Sequence, residues 1–378
     1  YDVVCTNPPY MGGSGMNAKL SEFVKSKFPD SKSDLFACFI EKCGQLAKPH
    51  GFYAMITQHA FMFLSSYENL RKKLMQKTTV NMAHLGARAF DEIGGEVVQT
   101  TAFVMTGHIK DYKGTYARLV DTVGENEKRD LFLSGDKRFA AKQENFSKIP
   151  GSPVAYWVSE NFIRAFENGR LLGEIASSKQ GIATADNNRF LREWYEVNVE
   201  KILFDCSTHE ESKTSPAKWY PYNKGGEFRK WYGNNDYVVN WQYDGAELRN
   251  FKKSVIRNPN FYFMPCFSWS LISSSVAAFR YKPKGHIFDV AGMSCFSNDK
   301  LHYLLALCNS SCAMKVLEVI APTINYQCGD IANIPVIIPD SDEVENHVKE
   351  LVKDNIDSCK TDWDYYEVSW DFEKHPLI

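Results

Sequence analysis

Apolar and polar residues in the first third of the chain are ordered as strands alternating with helices. Short apolar runs typical of strands occupy residues 1–6, 51–57, 79–85 and 97–106, and the run at 51–57 is typical of a buried strand. Between them, residues 34–48 and 60–76 carry apolar positions at helical spacing, and Pro49 ends the first of these segments. Strands separated by helices of this length predict an α/β fold with an open, mostly parallel sheet.

The pattern changes after a segment rich in proline and glycine at residues 149–153. Residues 218–243 are crowded with aromatic side chains and show no regular period, while 301–320 and 343–356 have helical spacing. We therefore expect three regions: an α/β domain over 1–150, an irregular α+β domain over 151–339, and an acidic helix with a tail over 340–378.

The tetrapeptide Asn7-Pro8-Pro9-Tyr10 directly follows the first predicted strand. Active sites of open α/β sheets lie just beyond the carboxyl ends of their strands. The amide oxygen of Asn7 and the carbonyl of Pro8 are two acceptors suited to the two N–H groups of an aromatic amine, and Tyr10 offers a ring for stacking. The prolines fix the turn without adding donors. The alternative is a rigid turn that buries a tyrosine.

Composition narrows the class of protein. The 378 residues are 44% hydrophobic and 24% charged, as in globular proteins of two or three domains. We find no apolar run near the roughly 18 residues of a membrane helix, so no membrane association is expected. The ten cysteines form no C-x-x-C pair, which favours reduced thiols and a cytoplasmic location. His209, His286 and His302 lack the spacing of metal ligands, so no metal is expected.

Charge is distributed unevenly along the chain. The net charge is −2, but residues 340–378 contain twelve acidic residues and four lysines and so carry −8, which leaves +6 on the remainder. Residues 241–290 carry +4. This asymmetry is typical of a body that binds a polyanion, although solvated protein faces show it as well.

Residues 2–10 (DVVCTNPPY) resemble catalytic motif IV of N6-adenine DNA methyltransferases, and residues 34–42 resemble the motif V helix of that family. The resemblance implies part of a Rossmann-like class I methyltransferase sheet and S-adenosylmethionine as cofactor. It assigns catalysis to Asn7, Pro8 and Tyr10, and cofactor contacts to Pro9 and Phe39. It also implies that Tyr10 and Phe90 stack on the target base. Ordinary core packing is an equal alternative for Phe39 and Phe90.

The second half extends the likeness. Residues 180–191, 219–232 and 322–327 resemble the target-recognition region of BREX phage-defence methyltransferases (PglX-like), whose relatives include fused restriction–methylation enzymes. This implies double-stranded DNA and subunits of a defence complex as partners. We expect DNA contacts from the charged loop, through Asn223, Lys224, Arg229 and Lys230. Most of the surrounding aromatic rings are expected in the domain's own core.

The glycine-rich cofactor turn of the family is not found before the catalytic motif. Residues 12–15 (GGSG) follow Tyr10 and do not join a strand to a helix, so we interpret them as a flexible loop. We therefore expect the C-terminal part of a longer enzyme, inactive alone. Two alternatives stay open: a DNA-binding specificity module without catalysis, and an amino-methyltransferase acting on RNA or protein.

Overall fold

The computed structural model describes residues 1–90, 98–273 and 276–378. The chain divides into two compact units, Tyr1–Glu167 and Asn168–Ile378. The sequence places this division after residue 150. The segment around residue 151 belongs instead to the first unit, because the buried guanidinium of Arg71 donates to Gly151 O from both Nε (2.9 Å) and Nη2 (2.7 Å). The same side chain also donates to Phe61 O and Leu64 O.

The first unit is built on a six-stranded sheet with the order β1-β2-β4-β3-β5-β6 among the described residues. Its strands are β1 (Val3–Thr6), β2 (Phe52–Gln58), β3 (Thr78–Gly86), β4 (Thr100–Thr106), β5 (Lys113–Arg118) and β6 (Arg138–Lys142). A core of apolar side chains from the helices and from the buried face of the sheet includes Phe36, Phe61 and Phe103.

The strands of this sheet run in both directions. β1 pairs with β2, and β3 with β5, in parallel, while β2–β4, β3–β4 and β5–β6 are antiparallel. The α/β class is confirmed, but the expectation of a mostly parallel sheet is wrong. No helix separates β3 from β4 in the described residues, and a direct return between neighbouring strands is antiparallel.

The helices of the first unit differ from the expected ones in two places. They are α1 (Ala18–Lys27), α2 (Leu35–Leu46), α3 (Glu68–Leu74), α4 (Glu125–Ser134) and α5 (Glu160–Asn168), the last of which ends at the division between the units. α1 was not predicted. The single helix expected over residues 60–76 is two 3₁₀ turns, His59–Met62 and Ser65–Tyr67, followed by α3.

The second unit is α+β, with short strands in two four-stranded sheets and one extra pair. The sheets have the orders β14-β10-β11-β9 and β13-β12-β15-β8, and β7 pairs with β16. The strands are β7 (Arg170–Leu171), β8 (Ser177–Lys179), β9 (Leu191–Glu193), β10 (Trp219–Asn223), β11 (Tyr237–Asn240), β12 (Cys266–Ser270), β13 (Arg280–Lys282), β14 (Ile287–Phe288), β15 (Gly292–Phe296) and β16 (Pro335–Val336). Trp241, Trp269 and Tyr220 are fully buried, as expected for core rings.

Helices complete the second unit. They are α6 (Leu172–Ile175), α7 (Asn187–Phe190), α8 (His209–Thr214), α9 (Gln242–Asn250), α10 (Leu301–Asn309), α11 (Ser311–Ile320), α12 (Cys328–Ala332) and α13 (Asp342–Asp364). The single helix expected over 301–320 is broken at Ser310, whose hydroxyl caps α11 by accepting from Ala313 N. Among the described residues no single helix is long and apolar enough to cross a membrane; α10 and α11 together have that length and composition but are bent by 72°.

The acidic C-terminal region is part of the second unit and not a separate tail. α13 packs against α10. The Arg229 guanidinium lies over the buried Trp363 ring of α13, 4.9 Å from the ring centroid. Glu345 accepts from Lys300 at 2.5 Å and pairs with Lys349 at 2.9 Å. These hydrogen bonds lower the pKa of Glu345. The acidic helix is therefore held by basic residues on both sides of the expected boundary at 339.

Candidate active site

The loop after β1 lies where several strand ends of the first unit meet. β1 and β2 end at the same edge because they are parallel, β3 ends there at Gly86, and β4 begins there at Thr100. A cavity of about 600 Å³ opens at this edge. Its lining is Asn7, Pro8, Pro9, Tyr10, Ile56, Arg88, Ala89, Phe90, Val98 and Thr100. The structure thus brings together the four residues that the sequence assigns to base binding: Asn7, Pro8, Tyr10 and Phe90.

Asp34 fixes the far end of the Asn7–Tyr10 loop. Its carboxylate accepts from Met11 N at 2.9 Å and also caps α2 by accepting from Phe36 N at 3.3 Å. Leu35 N donates back to Met11 O at 3.1 Å. The loop is therefore tied to the N-terminal end of α2. Sequence reasoning gave Asp34 only as part of a helix motif, although an aspartate before an apolar helical run indicates a cap.

The glycine-rich segment after this loop is ordered. Residues Gly13–Gly15 form a 3₁₀ turn, and Gly13 N donates to Ser33 O at 3.0 Å. The expectation of a flexible loop is wrong, because this backbone pairs with the segment that leads into α2. The turn extends the anchoring provided by Asp34.

The Tyr10 ring is held from one side. It packs edge-on against Phe36, with ring centroids 6.1 Å apart and an interplanar angle of 82°, yet 38% of the residue is exposed. Burial raises the pKa of the Tyr10 phenol, and the neighbouring Thr57 hydroxyl offsets only part of this effect. The ring is therefore a neutral, oriented aromatic group at the cavity.

Phe90 reaches the cavity through a segment anchored by a buried lysine. Lys128 of α4 donates from Nζ to Leu85 O (2.7 Å), Leu119 O (2.9 Å) and Thr122 O (2.6 Å). Burial lowers the pKa of Lys128. Leu85 lies near the end of β3, and Leu119 and Thr122 lie in the turn after β5, so Lys128 fixes the point from which residues 86–90 depart. Sequence reasoning missed Lys128 because a lysine in a polar segment gives no sign of burial. The motif that follows Phe90 lies partly outside the described residues, at positions 91–97.

A second concavity adjoins the loop on the side of α1 and α2. Pro9 and Phe39, the two residues assigned to the cofactor, both line this groove of about 790 Å³. Its other walls are mainly apolar, from Leu20, Phe23, Val24, Phe28, Leu35 and Cys38, with Lys27, Lys42 and Gln45 at the polar positions. Pro9 lines both concavities and so lies between them.

Two histidines at the same edge of the sheet form a buried pair that the sequence did not indicate. His59 Nδ1 and His84 Nε2 are 2.8 Å apart, and His84 Nδ1 lies 3.2 Å from the Tyr156 hydroxyl. Burial lowers the pKa of His59 to about 4 and that of His84 to about 3. Both imidazoles are therefore neutral near pH 7, so each has one N–H donor and one acceptor nitrogen. In the contact with Tyr156, His84 Nδ1 either donates to the hydroxyl or accepts from it, according to the tautomer.

The residues assigned to DNA contact are engaged inside the second unit. Asn223 lies in β10 with 1% of its surface exposed, so its amide does not reach base edges. Lys224 pairs with buried Asp289 at 2.8 Å, Arg229 with Asp362 at 3.5 Å, and Lys230 donates to Asn309 O at 2.8 Å. Lys224, Arg229 and Lys230 thus each have a partner inside the unit, while residues 226–228 between them are exposed.

Comparison with known proteins agrees with the sequence motifs. Residues 1–90 match the family model of the Eco57I restriction-modification methylases. The whole chain is 42% identical to the adenine-specific methyltransferase PglX of Lacticaseibacillus casei (strain Zhang) and 44% identical to the adenine-specific methyltransferase BrxX of Escherichia coli O9:H4 (strain HS). It covers 32% and 31% of these two proteins, so it spans about a third of their length. The expected resemblance to PglX-like adenine methyltransferases is confirmed.

Solved structures share the fold at low sequence identity. The type IIL restriction-modification enzyme MmeI, solved in complex with DNA, aligns with 98% of this chain and 50% of its own, with a TM-score of 0.59 and 12% identity. The type ISP enzyme LlaGI, solved with a DNA substrate mimic, aligns with 94% of this chain and 41% of its own, with a TM-score of 0.50 and 12% identity. At such identity the likeness concerns the fold alone.

Proposed function

We propose that this chain carries the base-binding site of an N6-adenine DNA methyltransferase that acts in phage defence or restriction–modification. The observation that carries the proposal is the shared cavity of Asn7, Pro8, Tyr10 and Phe90 at the carboxyl ends of β1 and β2. Two relatives with 42% and 44% identity, both named adenine-specific methyltransferases, support it.

The chemistry follows from the donor and acceptor properties of the loop. Adenine N6 is a weak nucleophile because its lone pair is delocalised into the ring. In our proposal, Asn7 Oδ1 and Pro8 O each accept one N6–H, which favours a pyramidal nitrogen whose lone pair is available for attack. Tyr10 and Phe90 hold the base, which must leave the duplex to reach the cavity. Orientation and fixed dipoles then provide most of the rate enhancement.

We assign part of the S-adenosylmethionine site to the groove beside the cavity; this cofactor supplies the methyl group when bound. The mainly apolar walls of the groove and the Phe39 ring suit a purine, and Pro9 separates the groove from the base cavity. We assign cofactor contacts to Pro9 and Phe39. After methyl transfer the amine loses a proton, and this step requires no dedicated base from the loop.

The second unit is assigned to DNA recognition in this proposal. The +4 stretch at 241–290 supports it, and because of its burial Asn223 is left out of the proposed DNA surface. Arg229, Lys224 and Lys230 keep a role in shaping that surface through their internal contacts. Double-stranded DNA, subunits of a defence complex and a cytoplasmic location complete the proposal.

Replacing Asn7 by alanine in the full-length enzyme tests the proposal. Loss of one acceptor for the N6 hydrogens should lower methyl incorporation into DNA by about 100-fold or more. DNA affinity should change by less than about threefold, because phosphate contacts dominate binding. Tritiated methyl transfer and fluorescence anisotropy measure the two quantities. Asn69→Ala, at an exposed position of α3, is the matched control and should keep full activity.

The outcomes also separate the alternatives. Near-normal methyl transfer by Asn7→Ala would contradict the assigned role of the amide. A wild-type enzyme that binds DNA tightly but transfers no methyl group would instead indicate a specificity module. Preferential labelling of RNA or of a protein amide would move the reaction to a different acceptor.

A further inference from the structure

The base cavity contains a buried hydroxyl that the proposed mechanism does not use. Thr100, the first residue of β4, lines the cavity with Asn7 and Phe90 and has only 2% of its surface exposed. Its Oγ1 has no hydrogen-bond partner among the described residues. A buried hydroxyl without a partner lowers the stability of the folded state, so its presence at this position needs a reason.

Two other threonines of β4 are satisfied, whereas Thr57 on the neighbouring strand β2 also has a buried hydroxyl without a partner among the described residues. Thr101 Oγ1 donates to Ala83 O at 3.1 Å, and Thr106 Oγ1 donates to Gly51 O at 2.8 Å. These two residues lie on the same strand as Thr100. A threonine on β4 can therefore find a hydrogen-bond partner. Thr100 has none among the described residues because of its position beside the cavity.

The strand register puts the Thr100 side chain on the cavity face of the sheet. Thr100 is opposite Gln58, and Ala102 is opposite Ile56, so Thr100 and Ile56 are on one face because side chains alternate along a strand. Ile56 lines the cavity. Thr101 lies on the other face, where it meets the backbone of β3.

We propose that Thr100 Oγ1 donates a hydrogen bond to a ring nitrogen flanking the target amine of adenine, N1 or N7. This inference rests on the proposed function, since it concerns the same base in the same cavity. With N6 held by Asn7 and Pro8, a third contact to the ring edge fixes the rotation of the base in its plane. In this proposal the hydroxyl gains a hydrogen-bond partner when the base binds. The stability that the free protein loses through the unsatisfied hydroxyl is then recovered as binding energy for the base.

Thr100→Val tests this directly, because valine keeps the shape and removes the hydroxyl. In the full-length enzyme, kcat/KM for a duplex with one target adenine should fall about tenfold, the effect of one lost hydrogen bond to the base. Thr100→Ser keeps the donor and should stay within about threefold of wild type. The melting temperature of Thr100→Val without DNA should equal or exceed that of wild type, since an unsatisfied hydroxyl is removed.

Base analogues locate the contact. One of the two analogues, 1-deazaadenine or 7-deazaadenine, lacks the nitrogen that Thr100 binds. On that analogue, kcat/KM of the wild-type enzyme should be about tenfold lower than on adenine. Thr100→Val should have the same kcat/KM on that analogue as on adenine, because the hydrogen bond is already lost. The matched control is Thr101→Val on the opposite face of β4. It should lower the melting temperature, because its bond to Ala83 O is lost, and should keep the wild-type response to both analogues.

The results distinguish this inference from the proposed function. If wild-type enzyme methylates adenine but Thr100→Val is fully active, or if neither analogue is coupled to the hydroxyl, the Thr100 contact is refuted and the function stands. If wild-type enzyme transfers no methyl group to adenine, the proposed function itself fails. In that case the melting temperatures still report whether the free hydroxyl destabilises the protein.

Discussion

At the scale of single residues, two buried lysines perform the same task in the two units. Lys128 donates to three carbonyl oxygens, one near the end of β3 and two in the turn after β5. Lys282, on β13, donates to Gly233 O, Asn234 O and the Asn235 amide oxygen. An ammonium group has three donors, and each lysine uses all three on oxygen atoms of other chain segments. Burial lowers the pKa of both groups, to about 7 for Lys282.

Lys128→Met should destabilise the first unit and disturb the base cavity. Three buried carbonyls lose their donor, so the free energy of unfolding should fall by about 2–4 kcal/mol. The segment from Gly86 to Phe90 should become less well fixed, which lowers methyl transfer beyond the loss of folded protein. Urea unfolding of the chain measures the first effect. Lys19→Met, at an exposed position of α1, should cost less than about 0.5 kcal/mol; equal losses in the two variants would contradict the anchoring role.

At the scale of secondary-structure elements, the second unit contains two kinds of lysine: some bind partners inside the unit, and others are exposed without an ion pair in the described part of the chain. Lys224 and Lys230 each have an internal partner. Lys252 and Lys253, just after α9, are exposed and form no ion pair with the described residues. Lys252 and Lys253 are therefore available to bind DNA phosphates. Both lie in the stretch at 241–290, which carries a charge of +4.

Lys252→Ala combined with Lys253→Ala should weaken binding of the full-length enzyme to all DNA sequences alike. Each lost phosphate contact should reduce the slope of log affinity against log salt by roughly one. Anisotropy titrations from low to moderate salt measure this slope. Lys315→Ala, an exposed lysine of α11 that pairs with Glu318, is the control. An unchanged slope in the double variant would place the DNA surface elsewhere.

How well the sequence predicts an element depends on whether its signal is local. The strand before Asn7 and the helix α2 were predicted because their apolar spacing acts over a few residues, whereas the cap at Asp34 was not recognised. The antiparallel direction of β4 was not predicted, because strand direction depends on pairing with residues distant in the sequence. The break between α10 and α11 was not predicted either, because Ser310 lies inside an apolar run. The burial of Asn223 also escaped prediction, because a polar residue within an aromatic strand resembles an exposed one.

At the scale of the whole molecule, the units are defined by packing and not by composition. The proline-rich segment near 151 suggested a linker, and the acidic residues after 339 suggested a tail. Both are bound within a unit, the first by Arg71 and the second through Arg229 on Trp363. Trp194 Nε1 also donates to Val368 O, which ties the last residues of the chain to the start of the second unit.

Exchange of the second unit tests where DNA specificity resides. If Asn168–Ile378 is replaced by the matching segment of a relative with another target site, the hybrid full-length enzyme should methylate that relative's site. A shorter exchange of residues 171–339 keeps the host's α13. It should melt at lower temperature, because Glu345, Asp362 and Trp363 then face unmatched partners. Long-read methylation mapping identifies the modified site in each hybrid. A folded long hybrid that still methylates the host's site would place recognition in the first unit or in another part of the enzyme.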